Sequence, residues 1–60
     1  MTHQERNMTI EFIRKAYEFV IFQHEQERLD MMLAKYVNPA TVISKQELAE
    51  DLKFLEKLSD

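Results

Sequence analysis

Apolar residues recur at helical spacing from Ile10 to Ile21, and the pattern then changes face. With successive residues set about 100° apart around a helix, Ile10, Phe12, Ile13, Ala16, Tyr17, Phe19, Val20 and Ile21 share one broad arc, while Glu11, Arg14, Lys15 and Glu18 lie opposite. Glu11 with Lys15 and Arg14 with Glu18 stand at the i,i+4 spacing that supports an exposed helix by about 0.2–0.5 kcal/mol per pair. After the polar run Gln23-His24-Glu25-Gln26-Glu27-Arg28, a second stripe forms on the other side: Phe22, Leu29, Met32, Leu33 and Tyr36, with Met31 and Ala34 thinly prolonging the first. No glycine or proline interrupts residues 8–37, and Gln, Glu and Arg are good helix formers. The polar run therefore reads as exposure within one long helix over about 9–37. A chain of three helices that bends near Gln23 to Arg28 is the alternative.

The ends of this helix carry their own signals. Thr2-His3-Gln4-Glu5 has the spacing of a capping box, in which threonine and glutamate satisfy each other's free backbone N–H. Thr9 competes as a cap, which leaves residues 1–8 open to fraying. Val37-Asn38-Pro39 stops the helix, because a residue before proline is pushed out of the helical region and proline cannot donate. Residues 38–44 then form a connecting turn, extended through Thr41-Val42-Ile43 or holding a single helical turn capped by Asn38. Ser44-Lys45-Gln46-Glu47 is a second capping box, with Ile43 and Leu48 as its hydrophobic staple. It opens a helix over about 45–58 whose stripe is Leu48, Leu52 and Leu55, with Phe54 and Leu58 alongside.

These elements predict an all-α fold: a single helical-hairpin domain over residues 1–60, with the long helix at about 9–37 and the short one at about 45–58. In its seam Phe22, Leu29, Leu33 and Tyr36 face Leu58, Leu55, Leu52 and Leu48. At 1.5 Å per residue the short helix reaches back only to about Phe22. The first arc is then uncovered, and large side chains are worth about 1.5–3 kcal/mol each when buried. Single chains rarely leave such a patch bare. Ile10, Phe12, Ile13, Ala16, Tyr17, Phe19, Val20 and Ile21 are therefore the candidate dimer or partner interface, and a homodimer in a four-helix arrangement is expected.

Composition sharpens this expectation. A chain of 60 residues buries only about 60% of the surface its unfolded form exposes, so it leans on some staple. There is no cysteine and no Cys/His cluster, which leaves oligomerisation or docking on a partner. The polar start lacks the layout of a secretory signal. The apolar run Phe19 to Phe22 is far short of the roughly 20 residues that cross a bilayer. The chain reads as soluble and cytoplasmic, without a membrane partner. Eight Lys plus Arg against eleven Asp plus Glu give a net charge of −3, a mild argument against sequence-independent nucleic-acid binding.

Candidate chemistry is sparse. His24 and Glu27 stand at the i,i+3 spacing that can share a metal, but carboxylate-bridged bundles need Glu-x-x-His, and Ile21 stands three residues before His24. No metal or cofactor is expected. Two histidines and two serines in separate regions offer no nucleophile set, and without glycine there is no glycine-rich phosphate cradle. An enzyme is not expected. Met8, Met31 and Met32 suit an adaptable binding surface or simple core filling. Arg14, Lys15, Arg28 and Lys35 are candidate phosphate contacts, although the interleaved glutamates suit a solvated ion-pair face better.

Two stretches carry resemblances. Met1-Thr2-x-Gln4-Glu5 followed by Phe12-Ile13-Arg14 resembles the start of the Rop family of plasmid copy-control proteins, whose dimeric helical hairpins bind paired RNA loops. The likeness covers about a quarter of the chain, with shifted spacing, and Phe12 belongs here to the apolar arc. Ile43 to Leu52 resembles the first helix of helix-turn-helix DNA binders, but Lys53-Phe54-Leu55-Glu56 follows where a turn and recognition helix would be needed. The expected function is that of a small non-enzymatic helical interaction or regulatory protein, a homodimer that binds another protein as adaptor, inhibitor or regulator. The alternative is a nucleic-acid-binding hairpin of the Rop type or a degenerate helix-turn-helix regulator.

Overall fold

The first arc and the second stripe lie on different faces of a straight helix, and the chain brings them together by breaking that helix. The computed structural model describes residues 2–59. Helix α1 spans His3–Ala16 and tightens into a 3-10 turn at Tyr17–Phe19. Val20 is extended (φ −73°, ψ 128°), as is Phe22 (φ −107°, ψ 147°), and α2 then runs Gln23–Val37. The single helix expected over 9–37 is thus two helices. The bend falls at Val20 to Phe22, just ahead of the polar run.

No glycine or proline forces the break, so its cause is tertiary. Folding back at Val20 to Phe22 lays part of the first arc against part of the second stripe. Ile13 and Ala16 of α1 are buried together with Leu29, Met32 and Tyr36 of α2, and Ile43 and Leu55 complete the core. Burial on this scale outweighs the few tenths of a kcal/mol per residue by which good helix formers differ. The new start of α2 is capped from inside the helix. The carboxylate of Glu25 accepts from the backbone N–H of both Ile21 and Phe22 at 3.1 Å. Those two bonds, the one from Phe22 first, hold its pKa below the ordinary carboxylate value.

Most of the other start and stop signals read in the sequence are present. Glu5 N donates to Thr2 Oγ1 and Thr2 N to Glu5 Oε1, each at 3.1 Å, so the capping box forms and α1 begins at His3 rather than at Thr9. Thr9 is buried, and its hydroxyl donates to Glu5 O within the helix. Helix α2 ends at Val37, ahead of Pro39, and Ala40 N donates to Asn38 Oδ1 in the turn. Helix α3 spans Lys45–Ser59, with Glu47 N donating to Ser44 Oγ. Its staple residue Ile43 is buried.

Arg6 fixes how the helices run. Its Nη1 donates to Tyr36 O (2.9 Å) and Asn38 O (3.0 Å), and its Nη2 to Thr41 O (2.9 Å). The guanidinium thereby meets one carbonyl of the last turn of α2 and two of the connection that follows, where a cation also opposes the negative end of the helix dipole. The start of α1 is thus pinned to the end of α2, and the two run antiparallel. Lys35, near the end of α2, pairs with Glu47 and Asp51, near the start of α3, so α3 runs antiparallel to α2 in turn.

The result is an all-α, up-down-up three-helix bundle, not a hairpin with a bare helix face. Helix α1 packs most closely on α2 and next on α3, while the backbones of α2 and α3 stay further apart. Buried Thr9 and Ala16 are small enough to admit that close approach. The radius of gyration is 10.9 Å, close to the roughly 10 Å expected of a compact chain this long. Among the described residues no helix is long and apolar enough to cross a membrane.

Candidate functional site

The polar centre of the bundle is an internal joint. Tyr36 is fully buried and its hydroxyl donates to Asp51 Oδ2 at 2.8 Å. Lys35 Nζ donates to the same oxygen at 2.7 Å and pairs with Glu47 Oε2 at 2.8 Å. Asp51, on a helix of otherwise apolar inward positions, is itself buried. Glu47 spends its carboxylate on Lys35 rather than on the cap of α3 that its spacing suggested. Burial raises the Tyr36 phenol well above its ordinary pKa, and the hydrogen bond to Asp51 adds to this. Burial alone would lower Lys35, but its bonds to Asp51 and Glu47 prevail and raise it. At the other end of the bundle, Tyr17 donates to Asp30 Oδ1. Burial first, then this bond, push Tyr17 up to about 12. Among the described residues every buried side-chain nitrogen and oxygen has a hydrogen-bond partner. These groups tie helices together.

They also set the response to base. All three folded values are raised, so their stabilisation is complete below the unfolded values of 10.0 for tyrosine and 10.5 for lysine, and drains away as pH climbs through the folded ones. The two tyrosines, Tyr17 and Tyr36, are all the chain has. Stability in urea is expected to hold level up to about pH 10 and to fall steadily above it. Tyrosinate absorbance should appear only above about pH 12 or with loss of helix. Half of the tyrosine ionising near pH 10 in a fully helical protein would contradict this joint.

The outer surface carries a different feature. Between α1 and α3 lies an open groove of about 780 Å³. Its floor is apolar, built from Phe12, Ala16 and Phe19 on one side and Ala49, Leu52 and Leu55 on the other. Phe12 and Phe19 remain 49% and 48% exposed. The rim carries Lys15, Glu50, Lys53 and Glu56. Among the described residues none of these four has an ion-pair partner within 4 Å. The i,i+4 pair expected between Glu11 and Lys15 is not formed, nor is that between Arg14 and Glu18.

The eight expected interface residues therefore divide. Ile13 and Ala16 are buried in the chain's own core, and Ile10, Tyr17 and Val20 are half-buried against it. Phe12 and Phe19 face the groove, and Ile21, at the bend, is 82% exposed. Phe22, assigned from the sequence to the hairpin seam, is instead 58% exposed and stacks on His24 with ring centroids 5.5 Å apart. The rest of that seam turns inward, with Leu29, Tyr36 and Leu55 buried and Leu33, Leu48, Leu52 and Leu58 packed beside them.

Of the candidate phosphate contacts, Lys35 is held by two carboxylates and Arg28 lies 4.4 Å over the ring of Phe54. Arg14 and Lys15 are exposed. Glu27 accepts a 3.5 Å hydrogen bond from Gln23, and no group of three or more potential metal ligands occurs among the described residues. Met32 is buried while Met31 and Met8 are exposed. The α3 end of the groove had a sequence signal in Ala49, a small residue amid outward polar positions. Comparison with protein-family models, curated proteins and solved structures finds no match to this chain.

Proposed function

We propose that this chain is a small non-enzymatic interaction protein that acts as a homodimer by binding another protein. The supporting observation is where its large apolar side chains stand. Phe12 and Phe19 in the groove, with Ile21 and Phe22 at the bend, are about half exposed or more, whereas among the described residues every buried polar side-chain atom is hydrogen-bonded. Aromatic and aliphatic anchors ringed by polar residues are what protein interfaces concentrate. The two surfaces allow a division of labour, with one joining two copies and the other meeting the partner.

The test is affinity capture from the native host, comparing the wild type with Ile21→Asp, a change at an exposed bend position. A stoichiometric protein held by the wild type and released by Ile21→Asp, with helix content intact, is the expected result. If wild type and variant retain the same proteins, the bend does not anchor a partner. If neither retains any, the partner-binding reading is wrong.

A further inference from the structure

We infer that the α1–α3 groove is the homodimer seam, in which a second copy of this chain seats face to face, so that each groove is filled by Phe12 and Phe19 of the other. This rests on the homodimer reading above and assigns it a surface. The charge on the rim selects the occupant. Lys15 and Lys53 supply two positive charges, and Glu50 and Glu56 two negative ones, so the rim is neutral although the whole chain carries −3. A strongly basic or acidic partner gains nothing from such a rim. A second copy carries both signs in the same number, and in a two-fold interface residue i meets j and j meets i, so each Lys set against a Glu of the other copy gives two ion pairs. Among the described residues none of the four charges has an ion-pair partner, which leaves them to pair across the seam.

A standard interface covers roughly 800 Å² per partner, about a sixth of the chain's 4671 Å², so a seam of that size takes in the charged rim and its surroundings as well as the apolar floor. The seam also supplies the staple that so small a domain, without cysteine, otherwise lacks.

The test separates the charges by sign. In one variant, Lys15→Glu with Lys53→Glu, the rim is wholly acidic; in the other, Glu50→Lys with Glu56→Lys, it is wholly basic. All four positions are exposed and outside the core, so both variants should keep wild-type helix content. By sedimentation at low salt, each variant alone should self-associate on the order of 100-fold more weakly than the wild type. An equimolar mixture should recover a one-to-one heterodimer, and this outcome does not depend on the register of the two copies. Salt should partly restore self-association, since the screening length falls from about 10 Å at 0.1 M to about 3 Å at 1 M. Phe12→Gln, which removes apolar contact without adding charge, should also give a folded monomer.

Variants that each remain dimeric would place the seam elsewhere and overturn this inference while leaving the homodimer reading standing. A wild type that is monomeric at roughly 100 µM, where a micromolar dimer would be well populated, would overturn both. Binding of another protein would then be judged by the capture experiment alone.

Discussion

Replacing Asp51 with alanine is expected to cost about 2–4 kcal/mol, more than any other single polar substitution. The carboxylate accepts from two donors at once, the Tyr36 hydroxyl and the Lys35 ammonium. Without it, the phenol is left unbonded at a fully buried position, which alone costs about 1–3 kcal/mol. Lys35 keeps Glu47 and partial access to water, so its loss is smaller than that of a sealed buried charge. At about 0.05–0.15 kcal/mol per residue, a domain of this length has only some 3–9 kcal/mol to lose. Urea denaturation should show the midpoint falling by about a fifth or more. Asp51→Asn keeps an acceptor for Tyr36 and should lose less. Tyr36→Phe combined with Asp51→Leu removes donor and acceptor together, and should recover part of the loss, since paired apolar replacements can be nearly neutral. If Asp51→Ala left the midpoint unchanged, the joint would have no energetic weight and the apolar core would account for the packing of α2 on α3.

The helix content and most of its boundaries were legible because they are set by local chemistry. Thr2 with Glu5, Ser44 with its N3 amide and the stop before Pro39 each act within four residues. The apolar positions were legible too, since Ile13, Ala16, Leu29, Tyr36 and Leu55 lie on the stripes that periodicity marks. What periodicity does not convey is which stripe meets which. Two stripes on different faces are equally consistent with a long helix that needs a second chain and with a chain that folds back on itself. The deciding bend at Val20 to Phe22 bears no glycine or proline, and its cap is a glutamate reaching backward from the third position of α2. A Glu with no Ser, Thr, Asp or Asn three residues before it is half of a capping box and carries little signal. Arg6 was invisible for a related reason. Its three acceptors are backbone carbonyls some thirty residues away, and backbone carbonyls leave no mark in a sequence. Asp51 carries no mark in the periodicity of α3, because its partners Lys35 and Tyr36 lie on another helix. The groove itself exists only because the fold-back turned Ile13 inward and left Phe12 at the edge of α3.

That last division yields the largest expected effect in the molecule. Ile13→Asp is expected to abolish the folded state, whereas Phe12→Asp, one position earlier on the same apolar arc, should leave it folded. Ile13 has no exposed surface, while Phe12 keeps about half of its own. Truncating a buried isoleucine to alanine typically costs about 2–5 kcal/mol. A carboxylate at that site adds the cost of burying a charge with no partner or of protonating it. The sum exceeds what a domain of this size can lose. Had residues 9–37 formed one helix with this arc turned outward, both substitutions would have disrupted only self-association and left a folded hairpin. Circular dichroism and the dispersion of amide NMR signals distinguish the two arrangements. In the three-helix bundle, Ile13→Asp gives an unfolded spectrum at any protein concentration, Ile13→Val a loss of only about 0.5–1.5 kcal/mol, and Phe12→Asp a native spectrum with weakened self-association. A folded Ile13→Asp monomer would mean that α1 is not part of the core.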